Sequence, residues 1–101
     1  LQADTDLLDL TDDRAKGLIG KWTDNSGNEY KLKKDGKLVI KSSSGETKGT
    51  YCAAANTDGT LRLNLVISGG TLEYVYTLSD DGDTVELCSP GTDTVHTWTK
   101  A

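Results

Sequence analysis

Two thiols, one imidazole and a scatter of carboxylates are the side chains here that could catalyse a reaction or hold a metal. They are Cys52, Cys88, His96, the acids Asp80, Asp81 and Asp83 around Gly82, and Glu29, Glu46, Glu73 and Glu86. A structural zinc site takes four Cys or His ligands, and one histidine with two distant cysteines falls short of that set. No metal site is expected. The Asp80–Asp83 run lacks the alternating spacing of a calcium loop, whereas Asp-Gly is what a tight hairpin turn requires. Serines are plentiful, but no long helix follows any of them to build a nucleophile elbow. A general acid needs a carboxyl raised by burial or by a like-charged neighbour, and each of the four glutamates stands beside outward-type residues. The sequence therefore offers no catalytic residue and calls for no cofactor, and the protein reads as a non-enzyme. Cys52 and Cys88 are expected to bond to each other, with two buried thiols as the alternative. Such a bond would close a long loop, contribute about 2–4 kcal/mol, and place the protein outside the cytoplasm.

The elements that would position these residues are punctuated by turn dipeptides. Ser26-Gly27, Asp35-Gly36, Ser44-Gly45, Asp58-Gly59, Gly69-Gly70, Asp81-Gly82 and Pro90-Gly91 recur between short stretches that alternate apolar and polar residues. Seven turns join eight strands, predicted at 20–24, 29–34, 37–42, 47–53, 61–68, 71–78, 84–88 and 94–99. Leu61, Leu63, Leu65 and Ile67 share one face, as do Leu72, Tyr74, Tyr76 and Leu78. Tyr30, Leu32, Leu38, Ile40, Tyr51, Val85 and Leu87 extend it. Period-two alternation buries one face and leaves the other wet.

Connections this short allow only antiparallel neighbours, and no helix is available to cover the apolar face. Closure buries that face and removes both edges. The fold expected is all-β, a small eight-stranded antiparallel up-and-down barrel. In this frame His96 lies on the face opposite Val95. Cys52 and Cys88 both point outward from the fourth and seventh predicted strands, which are not neighbours. Their bond then needs a rim position, a bulge, or the stretch Ala53-Ala54-Ala55-Asn56 folded over the barrel mouth.

The chain has 101 residues, a net charge of -5 and 35% hydrophobic residues, which suits one thin-cored domain. Residues 1–10 read as an acidic leader or linker and residues 11–101 as a single barrel domain. Thr11 is expected to cap a short helical turn with Asp12 and Asp13 in its first positions and Gly17 closing it left-handed. Net negative charge without a basic run argues against nucleic acid. No stretch approaches a membrane span. A monomer is expected.

Gly20-Lys21-Trp22, with a short turn before it, resembles the glycine, any residue, tryptophan signature that opens the first strand of lipocalins and related calycin barrels. The rhythm of Tyr30-Lys31-Leu32, Asp35-Gly36, Gly49-Thr50-Tyr51 and Thr97-Trp98-Thr99-Lys100 is similar to small bacterial lipocalin-like domains of secreted and lipoprotein-like proteins. The resemblance implies an extracytoplasmic, secreted or surface-anchored module. It implies Trp22 as the plug of the closed end, Gly20 at its strand start, and Lys100 lying across the indole. Function would then be binding of a small apolar ligand or a protein partner, with Tyr30, Tyr51, Leu63, Tyr74 and Tyr76 lining the interior. Gly20-Lys21-Trp22-Thr23 also resembles the opening strand of avidin-type barrels, although Trp98 is the only other tryptophan. A similarity to small secreted inhibitors of bacterial metalloproteases, which carry one disulfide and an inserting N-terminus, implies an alternative: an interaction or inhibitor module acting through its leader or outer face.

Overall fold

The computed structural model describes residues 5–91 and 94–101. Among these described residues nine strands form one sheet: β1 Thr5–Leu8, β2 Gly20–Thr23, β3 Glu29–Leu32, β4 Lys37–Ser42, β5 Gly45–Asn56, β6 Leu61–Ile67, β7 Gly70–Leu78, β8 Thr84–Cys88 and β9 Val95–Lys100, with a 3-10 turn at Lys16–Leu18. Every pairing is antiparallel. Consecutive strands pair from β2 to β9, and β9 returns to β2 through Trp22↔Lys100 and Thr23↔Thr99. The eight strands β2–β9 thus close an up-and-down barrel, with the short turn before them. Tight turns explain the meander: positive φ falls on Gly27, Gly36, Gly59, Gly82 and Gly91, inside the hairpin loops. Residues 92–93, after Pro90-Gly91, lie outside the described residues, as do residues 1–4.

Inward-pointing side chains fill the barrel. Trp22, Leu32, Leu38, Ala53, Leu63, Leu65, Tyr76, Val85 and Leu87 are essentially without exposed surface. Among the described residues no polar or charged residue is fully buried. Among the described residues these side chains occupy the barrel axis, as close-packed interiors do.

Part of the acidic leader is structural. β1 pairs with the second half of β5, Thr5↔Asn56 through Leu8↔Ala53, and Leu8 and Leu10 pack against the core. The first half of β5 pairs along the same edge with β4, from Ser42↔Gly45 to Lys37↔Thr50. Between these partners the Tyr51 amide donates to the Gly36 carbonyl at 2.9 Å. Ala53-Ala54-Ala55-Asn56 therefore continues a twelve-residue strand and does not fold over the mouth. On its other edge β5 meets β6 only from Thr50↔Val66 onward. Gly49 stands at that junction. A Cβ there would lie 2.0 Å from the Val66 carbonyl oxygen, so only glycine lets the two backbones approach.

The helical turn is built differently from the expectation. Its first residue follows Ala15, with no side-chain cap. Asp12 organises it instead: its backbone carbonyl accepts from the Ala15 and Lys16 amides, and its carboxylate accepts from the Arg14 amide and guanidinium. Those Arg14 hydrogen bonds hold the Asp12 carboxyl at about 2. Thr11 donates to Asp9. Gly17 is not left-handed; a Cβ there would meet Leu78 Cδ1 at 2.9 Å, so its role is close packing.

The expected disulfide is absent: Cys52 and Cys88 are not bonded to each other. Cys52 pairs with Asn64 on β6 and Cys88 with Val75 on β7. Three interstrand steps, about 14 Å at 4.7–4.9 Å each, separate them on the outer surface. A disulfide tolerates roughly 7 Å between Cα atoms.

Candidate functional site

One end of the barrel is shut. Ala15 and Leu18 are buried beneath the 3-10 turn. The Trp22 indole Nε1 donates to the Leu18 carbonyl at 2.9 Å, and the Tyr76 hydroxyl donates to the Arg14 carbonyl at 2.8 Å. The Lys100 ammonium lies 5.5 Å from the centre of the Trp22 ring, within cation–π range. Gly20, at φ 142°, begins the strand beneath it.

The other end holds a cleft of about 260 Å³ lined by Asp24, Ser26, Asn28, Tyr30, Tyr74, Leu87, His96 and Trp98. Register explains the gathering. Val85↔Trp98 and Leu87↔His96 put Trp98 and His96 on the inward face of β9, and Trp22↔Tyr30 does the same for Tyr30 on β3. Tyr30, Tyr74, His96 and Trp98 put four rings around the cleft. Tyr30 stacks on Trp98 with centroids 4.3 Å apart and an interplanar angle of 19°. His96 meets Tyr74 edge-on at 6.0 Å.

Asp24 fixes one wall. Its carboxylate accepts from the Ser26 and Asn28 amides at 2.9 Å each, the Asn28 side-chain amide at 3.0 Å and the Tyr30 hydroxyl at 2.8 Å. Burial pushes the Asp24 carboxyl up, but these donors outweigh it and the group sits below its ordinary value. An ionised carboxylate with four donors is a scaffold for the 24–28 turn, with little left to offer a ligand. Burial and the Asp24 charge push the Tyr30 phenol well above its usual range, so it remains a donor to Asp24. Tyr74, raised by burial, also keeps its proton. Among the described residues neither its hydroxyl nor the His96 ring makes a hydrogen bond.

The five interior residues of the sequence reading thus separate. Tyr30 and Tyr74 line the cleft. Leu63 lies in the core, and Tyr51 and Tyr76 are buried with their hydroxyls committed, Tyr51 to the Lys33 carbonyl at 2.6 Å. Burial pushes both phenols up to about 12. Asp24, Asn28, His96 and Trp98 were not anticipated as a site. Parity alone could have placed two of them, because Trp98 and His96 alternate with the exposed Val95.

A depression of about 460 Å³ lies at the closed end between Asp13, Arg14 and the strands bearing Leu61 and Leu78. It opens broadly to solvent and gathers no pair of rings. Among the described residues no group of three or more His, Cys, Asp or Glu is arranged to hold a metal ion. No helix among them is long and apolar enough to cross a membrane.

The architecture is that of a small closed antiparallel barrel, consistent with the calycin and lipocalin structural class. No protein-family model, curated protein or solved structure significantly matches the chain.

Proposed function

We propose that the protein is a non-enzymatic binding barrel that takes a small, ring-sized ligand at its mouth. The observation that carries this reading is the pairing of a stacked Tyr30–Trp98 platform with an edge-on Tyr74–His96 pair around one cleft. A space of about 260 Å³ equals roughly nine waters at ~30 Å³ each. That is below the usual range for drug-sized ligands and fits one ring. The half-buried Tyr30 ring, backed by the buried Trp98, offers a flat face to the apolar side of such a ring, and the Tyr74 hydroxyl, the His96 nitrogens and Ser26 supply polar groups at its edge. The lining therefore favours a ring with polar substituents over the wholly apolar ligand of the sequence reading. The non-enzymatic part is supported by the commitment of Asp24 to structural hydrogen bonds, which leaves the cleft without a raised carboxyl acid. The inhibitor alternative through the leader loses support, because β1 is spent on pairing with β5. Placement outside the cytoplasm now rests on the lipocalin resemblance alone.

Tryptophan emission tests the reading. In Trp22→Phe, Trp98 is the sole emitter. Titration with monosaccharides, free nucleobases and aromatic amines should change its emission saturably for at least one compound, and His96→Ala in that background should weaken this binding at least tenfold. The absence of any saturable change at millimolar concentrations across the panel would refute the mouth as a binding site.

A further inference from the structure

The net charge of -5 conceals a strong separation. Residues 21–48 carry seven lysines against four carboxylates, a net +3, while the rest of the chain carries four bases against twelve acids, a net -8. The register draws the lysines onto one surface. Lys21↔Lys31, Lys31↔Val39 and Val39↔Lys48 form a row across β2–β5, and Lys33 and Lys37 stand beside it, joined by a backbone hydrogen bond of 2.9 Å. Because Trp22, Leu32 and Leu38 alternate with them and point inward, this row points outward. All five lysines are exposed and Val39 is half-buried among them. Among the described residues two of the five form side-chain ion pairs, Lys21 with Glu29 at 3.7 Å and Lys48 with Glu46 at 3.9 Å, both loose contacts, and the Asp35 carboxylate accepts from the Lys37 amide at 3.1 Å. Lys33, Lys37 and Lys48 also line a depression of about 220 Å³ floored by Leu38, Val39 and Gly49.

We infer that this outer face of β2–β5 is a docking surface for an acidic polypeptide segment. In the eight-strand ring β4 lies opposite β8, where Glu86 and the turn acids Asp80, Asp81 and Asp83 sit. The molecule measures 41 × 31 × 29 Å, several Debye lengths at about 8 Å each in physiological salt, so the far acids do not mask the patch. The tyrosines and tryptophans point inward, so the face has no platform on which nucleic-acid bases could stack. Its central apolar residue, Val39, is half-buried and offers nothing to insert into a bilayer. Lysines present point charges without the fork that arginine brings to phosphate, which suits flexible carboxylates. The alternation of Lys31, Val39 and Lys48 complements a segment whose carboxylates flank a small apolar side chain.

The test uses the whole protein and three probes: a decapeptide of glutamate, serine and valine, vesicles containing phosphatidylserine, and a single-stranded DNA 12-mer. At low salt the peptide should bind, with amide shifts confined to β2–β5, and binding should weaken as salt is raised. Lys31→Glu with Lys37→Glu and Lys48→Glu should reduce it at least tenfold, while Lys16→Glu at the closed end leaves it unchanged. An unaltered far-ultraviolet spectrum checks the fold of the triple variant, and Lys→Gln at the same three positions should give an intermediate loss. Failure of the peptide to bind, indifference to the triple reversal, or tighter binding of vesicles or DNA through the same lysines would each overturn the assignment.

Discussion

At the scale of single residues, Trp22 shows how one side chain joins several levels of structure. Its ring is wholly buried, its Nε1 holds the carbonyl of Leu18 and so ties the 3-10 turn to the barrel, and Lys100 covers its face. Trp22→Ala should lower stability by about 3–5 kcal/mol, whereas Trp22→Phe keeps most of the volume and loses mainly a hydrogen bond worth about 1 kcal/mol. A thermal melt compares them; equal melting temperatures for Trp22→Ala and the parent would defeat the plug role. The residue was legible because a tryptophan just after a glycine starts the strand series. The mouth was less so. Tyr30 and Tyr74 follow from alternation, but Asp24 reads in sequence only as the last residue of the first predicted strand, and its capture of the Tyr30 hydroxyl depends on how the 24–28 turn folds back over the barrel.

At the scale of elements, β5 was the hardest to read. Its second half, Ala53-Ala54-Ala55, buries both Ala53 and Ala54, so the period-two signal that marks the other strands vanishes. β1 was hidden for a related reason: Thr5-Asp6-Leu7-Leu8 carries no alternation, and its strand conformation comes from the edge that β5 offers. The disulfide expectation failed at the same scale: the sequence already set two strands between Cys52 and Cys88, and Ala53-Ala54-Ala55-Asn56, which was to bring them together, continues β5 instead. β5 also has an exacting joint. Gly49→Ala should cost about 1–3 kcal/mol, the range for forced overpacking, because the methyl collides with backbone that cannot rotate away. Gly69→Ala, with open space around its Cβ, is the control. Denaturant unfolding measures both, and hydrogen exchange in Gly49→Ala should quicken first at the β5–β6 pairing around Thr50 and Val66. Equal stability of the two variants would contradict the close-approach role.

At the scale of the molecule, the turn dipeptides and the alternating leucines pointed to a closed eight-strand barrel, because closure buries a full apolar face without a helix and removes both edges. They could not show whether the barrel was hollow. That depended on volumes: Trp22, Tyr51, Tyr76 and the leucines together occupy the lumen, which moves any recognition to the mouth and the outer wall. Charge behaved similarly. A total of -5 argued against nucleic acid, yet the meander sorts its lysines onto β2–β5. The central claim, a filled barrel that binds at its mouth, is tested most directly by a residue-resolved nuclear magnetic resonance titration with the compound that most changes Trp98 emission. Asp24, Asn28, Tyr30, Tyr74, His96 and Trp98 should shift together along one binding curve, with Tyr51, Leu63 and Tyr76 unmoved. Shifts centred on Tyr51, Leu63 and Tyr76 would mean that the lumen opens to the ligand, and would contradict it.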